Sequence, residues 1–167
     1  TYKIPMMVTH TMNVFGEYQT PEKFIPLCIK KVMLGEKIYI HSNADKTQAG
    51  SRFYIHAIDV ADAILLLLKN RPISLPDYGG AKCKKFNIVG RQEIDNLTLA
   101  MKIAQAQHKP LDYEMVDFHT SRPGHDMRYA LSGDLMLGLG WQPTVSLVDR
   151  IQQVSDWYIM NKRWLGL

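Results

Sequence analysis

Residues 121–128 read Ser-Arg-Pro-Gly-His-Asp-Met-Arg, which sets two guanidinium groups, an imidazole and a carboxylate around a Pro-Gly bend. A guanidinium fork matches two phosphate oxygens at once, and an imidazole beside a tight turn adds a further donor. Arg122 and His125 are therefore candidate anion ligands, with a solvated basic loop as the alternative for this stretch taken alone. A third arginine, Arg52, stands at the mouth of Phe53-Tyr54-Ile55-His56-Ala57, a β-rich run leading into a helical pattern. There it either reaches a ligand phosphate or sits at a strand edge with Asp59 as a plain helix cap. Asn87, in Phe86-Asn87-Ile88-Val89-Gly90, is a poor strand former in a strand-like run; it is either an edge residue facing water or a side chain kept for binding.

The elements that must hold these residues alternate in type. Ile4 to Thr11 is an apolar run suited to a buried parallel strand, with no evident partner strand downstream. Thr20 can cap a helix with Pro21 at its first position, carrying Phe24, Leu27 and Cys28 on one face until Gly35. Lys37 to His41 alternates as a strand, and 42–51 is a polar loop. Phe53 to Ala57 is a strand, followed by a helix capped by Asp59 with Ala61, Ile64, Leu65 and Leu68 on one face. Lys85 to Val89 and Asp112 to Val116 are strands. Asp95 starts a helix through Gln107, Ser132 caps a short one ending at Gly138 to Gly140, and Ser146 caps the last, lined by Leu147, Ile151, Val154 and Tyr158. Strands alternating with helices make the class α/β.

At 167 residues, 46% hydrophobic and 22% charged, the composition is that of a soluble globular domain. The longest aliphatic run, Ile64 to Leu68, falls far short of the roughly 20 residues that span a bilayer. Two cysteines, Cys28 and Cys83, make no disulfide framework or metal spacing, which points to a reducing cytoplasm and no bound metal. The +4 net charge suits an anionic ligand, but the lysines and arginines are scattered, so nucleic acid is poorly supported as a partner. The opening at Thr1 instead of Met suggests a fragment or processed product. Tyr78-Gly79-Gly80-Ala81-Lys82 has the Tyr-x-x-x-Lys spacing that puts a phenol and an ammonium on one helix face, but its paired glycines after Pro76-Asp77 make a turn, so the match is chance. Gly138-Leu139-Gly140 precedes no helix and is no dinucleotide fingerprint.

Asn13-Val14-Phe15-Gly16 running into Pro21-Glu22-Lys23-Phe24-Ile25-Pro26, taken with Arg122-Pro123-Gly124-His125, resembles the C-terminal half of extended short-chain dehydrogenase/reductases that act on nucleotide sugars. The likeness is nearest the 4,6-dehydratase branch of the dTDP-glucose type within the NAD-dependent epimerase/dehydratase family. It runs from Ile4 to about Trp164 but covers only about half of the family's length. It implies a remnant of a Rossmann sheet plus a small mixed α/β substrate-binding domain. The whole of 1–167 would then form one substrate-binding unit, with 1–20 and parts of 52–70 at the edge of a truncated Rossmann domain. It further implies NAD beside Asn13 and a nucleotide-diphosphate sugar held by this half. Lys23 and Phe24 match a Lys-Leu pair lining that site; Tyr39, Ile40 and His41 fall where the family has Pro-Ile-Tyr beside the base. Arg52 and Arg122 would take the diphosphate, His125 would stand with Arg122, and Asn87 would hold the nucleotide part.

The family's Gly-rich loop and catalytic Tyr-x-x-x-Lys helix have no counterpart in these residues, so the resemblance implies a chain inert on its own that needs an N-terminal Rossmann half. The unpartnered first strand invites strand exchange or a homo-oligomer. Val14 replaces a second asparagine, Ser121 replaces an aspartate, and the 42–51 loop is longer than the family's. These departures leave open an epimerase or decarboxylase half, and a stand-alone binding module remains the non-enzymatic alternative.

Overall fold

The computed structural model describes residues 6–70, 84–117 and 126–167. Among the described residues, four small sheets carry the strands. β1 (Met7–Thr11) pairs in parallel with β6 (Lys84–Ile88), Met7 opposite Lys84 and Thr11 opposite Ile88. β2 (Val14–Phe15) lies parallel to β5 (Ile55–His56), and β3 (Ile38–Ser42) parallel to β8 (Tyr113–Asp117). In the last sheet β4 (Ser51–Phe53) is central, antiparallel to β7 (Glu93–Asp95) and parallel to β9 (Arg128–Tyr129). The helices are α1 (Phe24–Leu34), α2 (Ala57–Asn70), α3 (Asn96–Ala106), α4 (Asp134–Gly138) and α5 (Leu147–Met160), with a 3-10 turn over Lys162–Leu165.

The first strand is thus not without a partner: β6, legible as a strand, supplies it. One buried cluster lies among α1, α3 and α5, with Ile29, Ile103, Val154 and Tyr158 at its centre. A second joins α2, β6 and α4 through Leu67, Phe86, Ile88, Met136 and Trp141. Among the described residues no helix is long and apolar enough to cross a membrane.

Helix ends follow local chemistry. Asp95 caps α3 by accepting from the Thr98 amide at 2.8 Å, and Ser146 caps α5 by accepting from the Asp149 amide at 3.1 Å. Gly35, at φ 70°, ends α1; its amide and that of Glu36 bond back to the carbonyls of Val32 and Lys31. Thr20 is not a cap. Its carbonyl accepts from the Lys23 amide at 3.1 Å, so Thr20–Lys23 is a β-turn with Pro21 where proline's fixed φ serves best, and α1 starts at Phe24. Ser132 lies one residue early for a cap, yet its hydroxyl still accepts from the Asp134 amide at 3.2 Å. The short helix ends at Gly138, and Gly140 takes φ 78° before Trp141, which is a chain reversal.

Two expectations about residues 53–70 are overturned. The run from Phe53 to Ala57 is two strands in different sheets, broken at Tyr54. Asp59 lies within the first turn of α2, buried, and pairs with Arg150 of α5 at 3.1 Å, while the His56 imidazole takes the Ile58 amide at 3.2 Å. That ion pair fixes the rotation of α2. Asp59, Ala63 and Leu67 face inward, and Ile64, Leu65 and Leu68 stay 39%, 53% and 57% exposed. A helix apolar around most of its circumference has no periodicity to say which stripe is buried.

Candidate functional site

The loop from β1 to α1 brings the first site residues into place. Asn13 adopts φ 41°, its side-chain amide donates to the Phe53 carbonyl at 3.2 Å, and its own carbonyl accepts from the Ile55 amide at 3.4 Å. Farther along, the buried Tyr158 hydroxyl donates to the Gln19 carbonyl at 2.8 Å, and burial pushes that phenol up to about 12. With both ends tied, the Pro21 turn delivers Lys23 and Phe24 to the N-terminal end of α1.

From the opposite side, alternation along β3 sends Tyr39 and His41 one way and Ile40 the other. Tyr39 is exposed, with the Lys31 ammonium 5.6 Å from its ring centre; Ile40 is fully buried in the core. These segments and β4 enclose a cavity of about 540 Å³, within the usual range for small-molecule sites. Asn13, Lys23, Phe24, Tyr39, His41 and Arg52 all line it.

Arg52 is already engaged in it. Its Nη1 donates to the carbonyls of Ser51 at 2.6 Å and Met127 at 2.9 Å, and its Nη2 donates to the Asp126 carbonyl at 2.8 Å. Of the five N–H groups of a guanidinium, Nε–H and one on Nη2 make no bond among the described residues. The same bonds hold Asp126 and Met127, the two residues following the basic bend, against the cavity. Arg122 and His125 lie outside the described residues, as do Tyr78 and Lys82.

Two expected site residues are not brought to this cavity. Ile40 is turned into the core by the strand's alternation. Asn87 donates to the Ser132 carbonyl at 2.9 Å, stands 3.2 Å from His10 Nδ1, and lines a separate cavity of about 430 Å³ with Arg91, Asp134 and Trp141. Lining residues that the sequence did not flag for the site include Glu22, Gly50, Tyr54 and Asn96. Asn96 opens α3 with its amide on the Gly50 carbonyl at 2.9 Å, and its side-chain Oδ1 accepts from the Tyr54 hydroxyl at 2.9 Å. The only sequence signal was an asparagine next to a capping aspartate, which ordinarily reads as part of the cap.

The family model for the NAD dependent epimerase/dehydratase family matches residues 1–77. Across 99% of the chain, the dTDP-glucose 4,6-dehydratase of Xanthomonas campestris pv. campestris (strain ATCC 33913) is 30% identical over 173 residues, which make up 46% of that enzyme. In sequence, the chain is similar to members of the NAD dependent epimerase/dehydratase family. A second relative, the dTDP-D-glucose 4,6-dehydratase of Bos taurus, is 33% identical over 164 residues, covering 96% of this chain and 42% of its own length. The crystal structure of dTDP-glucose 4,6-dehydratase from Bacillus anthracis in complex with NAD superposes with a TM-score of 0.79 at 28% identity, covering 99% of this chain and 48% of that one. The chain spans about half the length of the curated relatives it matches.

A test of fit for NAD in this part of the family fold rests on Asn13. One N–H of its amide donates to Phe53, so among the described residues its oxygen and the second N–H are left to meet a ligand. One such side chain cannot hold a dinucleotide, and none of the glycine-bearing segments among the described residues forms a strand–turn–helix cradle for a pyrophosphate.

Proposed function

We propose that this chain is the nucleotide-sugar grip of an NAD-dependent 4,6-dehydratase of the dTDP-glucose type. The observation that carries the reading is the convergence of Asn13, Lys23, Phe24, Tyr39, His41 and Arg52 on one cavity. Residues 1–167 act in it as one substrate-binding unit, with 1–20 and parts of 52–70 forming the edge of a Rossmann domain completed by another segment.

In this reading Arg52 offers its remaining donors to the diphosphate, and Arg122 joins it from the basic bend with His125 alongside. Lys23 adds a point charge and Phe24 an apolar wall. Tyr39 supplies an aromatic face for the base, on which stacking is worth about 1–3 kcal/mol. Binding energy from the remote diphosphate then places the sugar for chemistry elsewhere. In a full-length enzyme, NAD would supply reversible hydride acceptance for the loss of water from the sugar. Asn13 would hold only the margin of that cofactor. The β1 edge opposite β6 is where the remaining strands would add, from the rest of a full-length enzyme or from a second copy, in the cytoplasm.

Titration of the chain with dTDP, UDP, GDP and thymidine tests this. The diphosphates should bind, dTDP best, and Lys23→Ala should weaken dTDP more than thymidine. Failure of every diphosphate to bind would refute it, and a steep salt dependence with no preference among them would point to nucleic acid. With NAD and dTDP-glucose added, no 4-keto-6-deoxy product should form; its appearance would show that these residues carry the chemistry themselves.

A further inference from the structure

Tyr54 does two things at once. Its backbone marks the switch between β4 and β5, pressed so closely on Gly90 that a Cβ there would stand 2.0 Å from the Tyr54 carbonyl oxygen. Its ring is buried edge-on to Phe15, with centroids 6.5 Å apart, and its hydroxyl reaches Asn96 Oδ1 at 2.9 Å on the cavity wall. A phenol has one proton to give. Buried, that proton needs an acceptor, and burial also pushes the phenol's pKa up, so the proton stays on at any ordinary pH.

A carboxamide can turn end for end, exchanging an acceptor for two donors. Were Asn96 reversed, its nitrogen would donate to the phenol oxygen, and the phenol proton would lose the acceptor that the described residues give it. The geometry points to Tyr54 as a positioning residue: its hydroxyl holds Asn96 with Oδ1 inward, so that the Nδ2 amide presents donors to the cavity beside Arg52. Two features set where that side chain stands, leaving the phenol to choose which end faces inward. The Asn96 backbone is anchored to Gly50, and the Asp95 cap fixes the start of α3. An oxygen facing the cavity would repel a phosphoryl group, whereas an amide nitrogen adds to the donors of Arg52. That complementarity rests on the nucleotide-diphosphate reading; the orientation of the amide does not.

The experiment has two arms. In the ligand-free chain, the Asn96 side-chain amide is followed by NMR, assigned by its loss in Asn96→Asp, in the parent and in Tyr54→Phe. The amide protons should exchange readily with water in both, while the Asn96 carbonyl carbon shifts in Tyr54→Phe as its oxygen loses the phenol. Amide protons protected in the parent and released in Tyr54→Phe would overturn the orientation. In the second arm, Tyr54→Phe should weaken dTDP by about three- to tenfold, the loss of roughly one hydrogen bond, and leave thymidine unchanged. An equal loss for both ligands, or none for either, would overturn the positioning role. If the parent binds no dTDP, the grip reading fails and the NMR arm alone decides the amide.

Discussion

Arg52 ties β4 to the segment entering β9 through two cross-chain bonds, to the Met127 carbonyl at 2.9 Å and to the Asp126 carbonyl at 2.8 Å. The Ser51 amide, which donates to the Met127 carbonyl at 2.9 Å, reports directly on whether that tie is closed. A hydrogen bond from a charged donor contributes about 1.5–3 kcal/mol, and the half-exposed guanidinium places each of these at the low end. A lysine can keep one of the two, so Arg52→Lys should lower the local opening free energy by about 1.5 kcal/mol. Arg52→Met keeps neither and should lower it by about 3 kcal/mol. At about 1.4 kcal/mol per factor of ten, Ser51 amide exchange should quicken roughly tenfold in the first variant and a hundredfold in the second. Native-state hydrogen exchange by NMR measures this, with the Ile103 amide in the buried middle of α3 as a control that stays unchanged. If Ser51 exchanges within a factor of about two of the parent in Arg52→Met, the guanidinium does not hold this segment and the argument fails.

Arg150 and Asp59 keep only 11% and 7% of their side chains exposed, so Arg150→Met should cost about 3–5 kcal/mol in urea unfolding by leaving a buried carboxylate unpaired; adding Asp59→Leu should restore most of it. A single variant no worse than the double would contradict that pairing. His56 titrates below its ordinary 6.5, chiefly through burial, with Glu17 pulling back upward, Arg150 pushing down and Asp59 pulling up. The unfolded chain therefore takes its proton first on acidification, and this contribution should be constant above about pH 7 and fall below about 6.5. In His56→Gln that part of the pH slope should vanish, as read from melting temperatures between pH 5 and 8. Gly90→Ala should destabilise by more than the about 1–3 kcal/mol of ordinary overpacking, because the atom its Cβ meets is backbone and cannot rotate away; circular dichroism melting checks it.

What the sequence made legible was local. The Asp95 and Ser146 caps follow from side chains acting on their own backbone, the Gly35 terminus from a residue free to take positive φ, and the inner face of α5 from its apolar periodicity. The six cavity-lining residues were reachable because motif resemblance fixes residue identities even where geometry is unknown. Asn96 escaped because its part depends on Tyr54, 42 residues away, and no local pattern records that pairing. The break at Tyr54 escaped for a like reason, since the close approach of Gly90 is tertiary. Asp59 carried the chemistry of a cap and the burial of an ion pair, and only the distant Arg150 decides between them.

The outward aliphatic ridge of α2, with Ile58, Leu65 and Leu68 all more than half exposed, bears on how the chain can be handled. Such a surface has no directional chemistry, so it takes up whatever greasy molecule arrives first. A fluorescent probe that brightens on oily surfaces will therefore glow against this chain while it is still folded, and the usual dye-based melting curve will start from a high baseline with little rise.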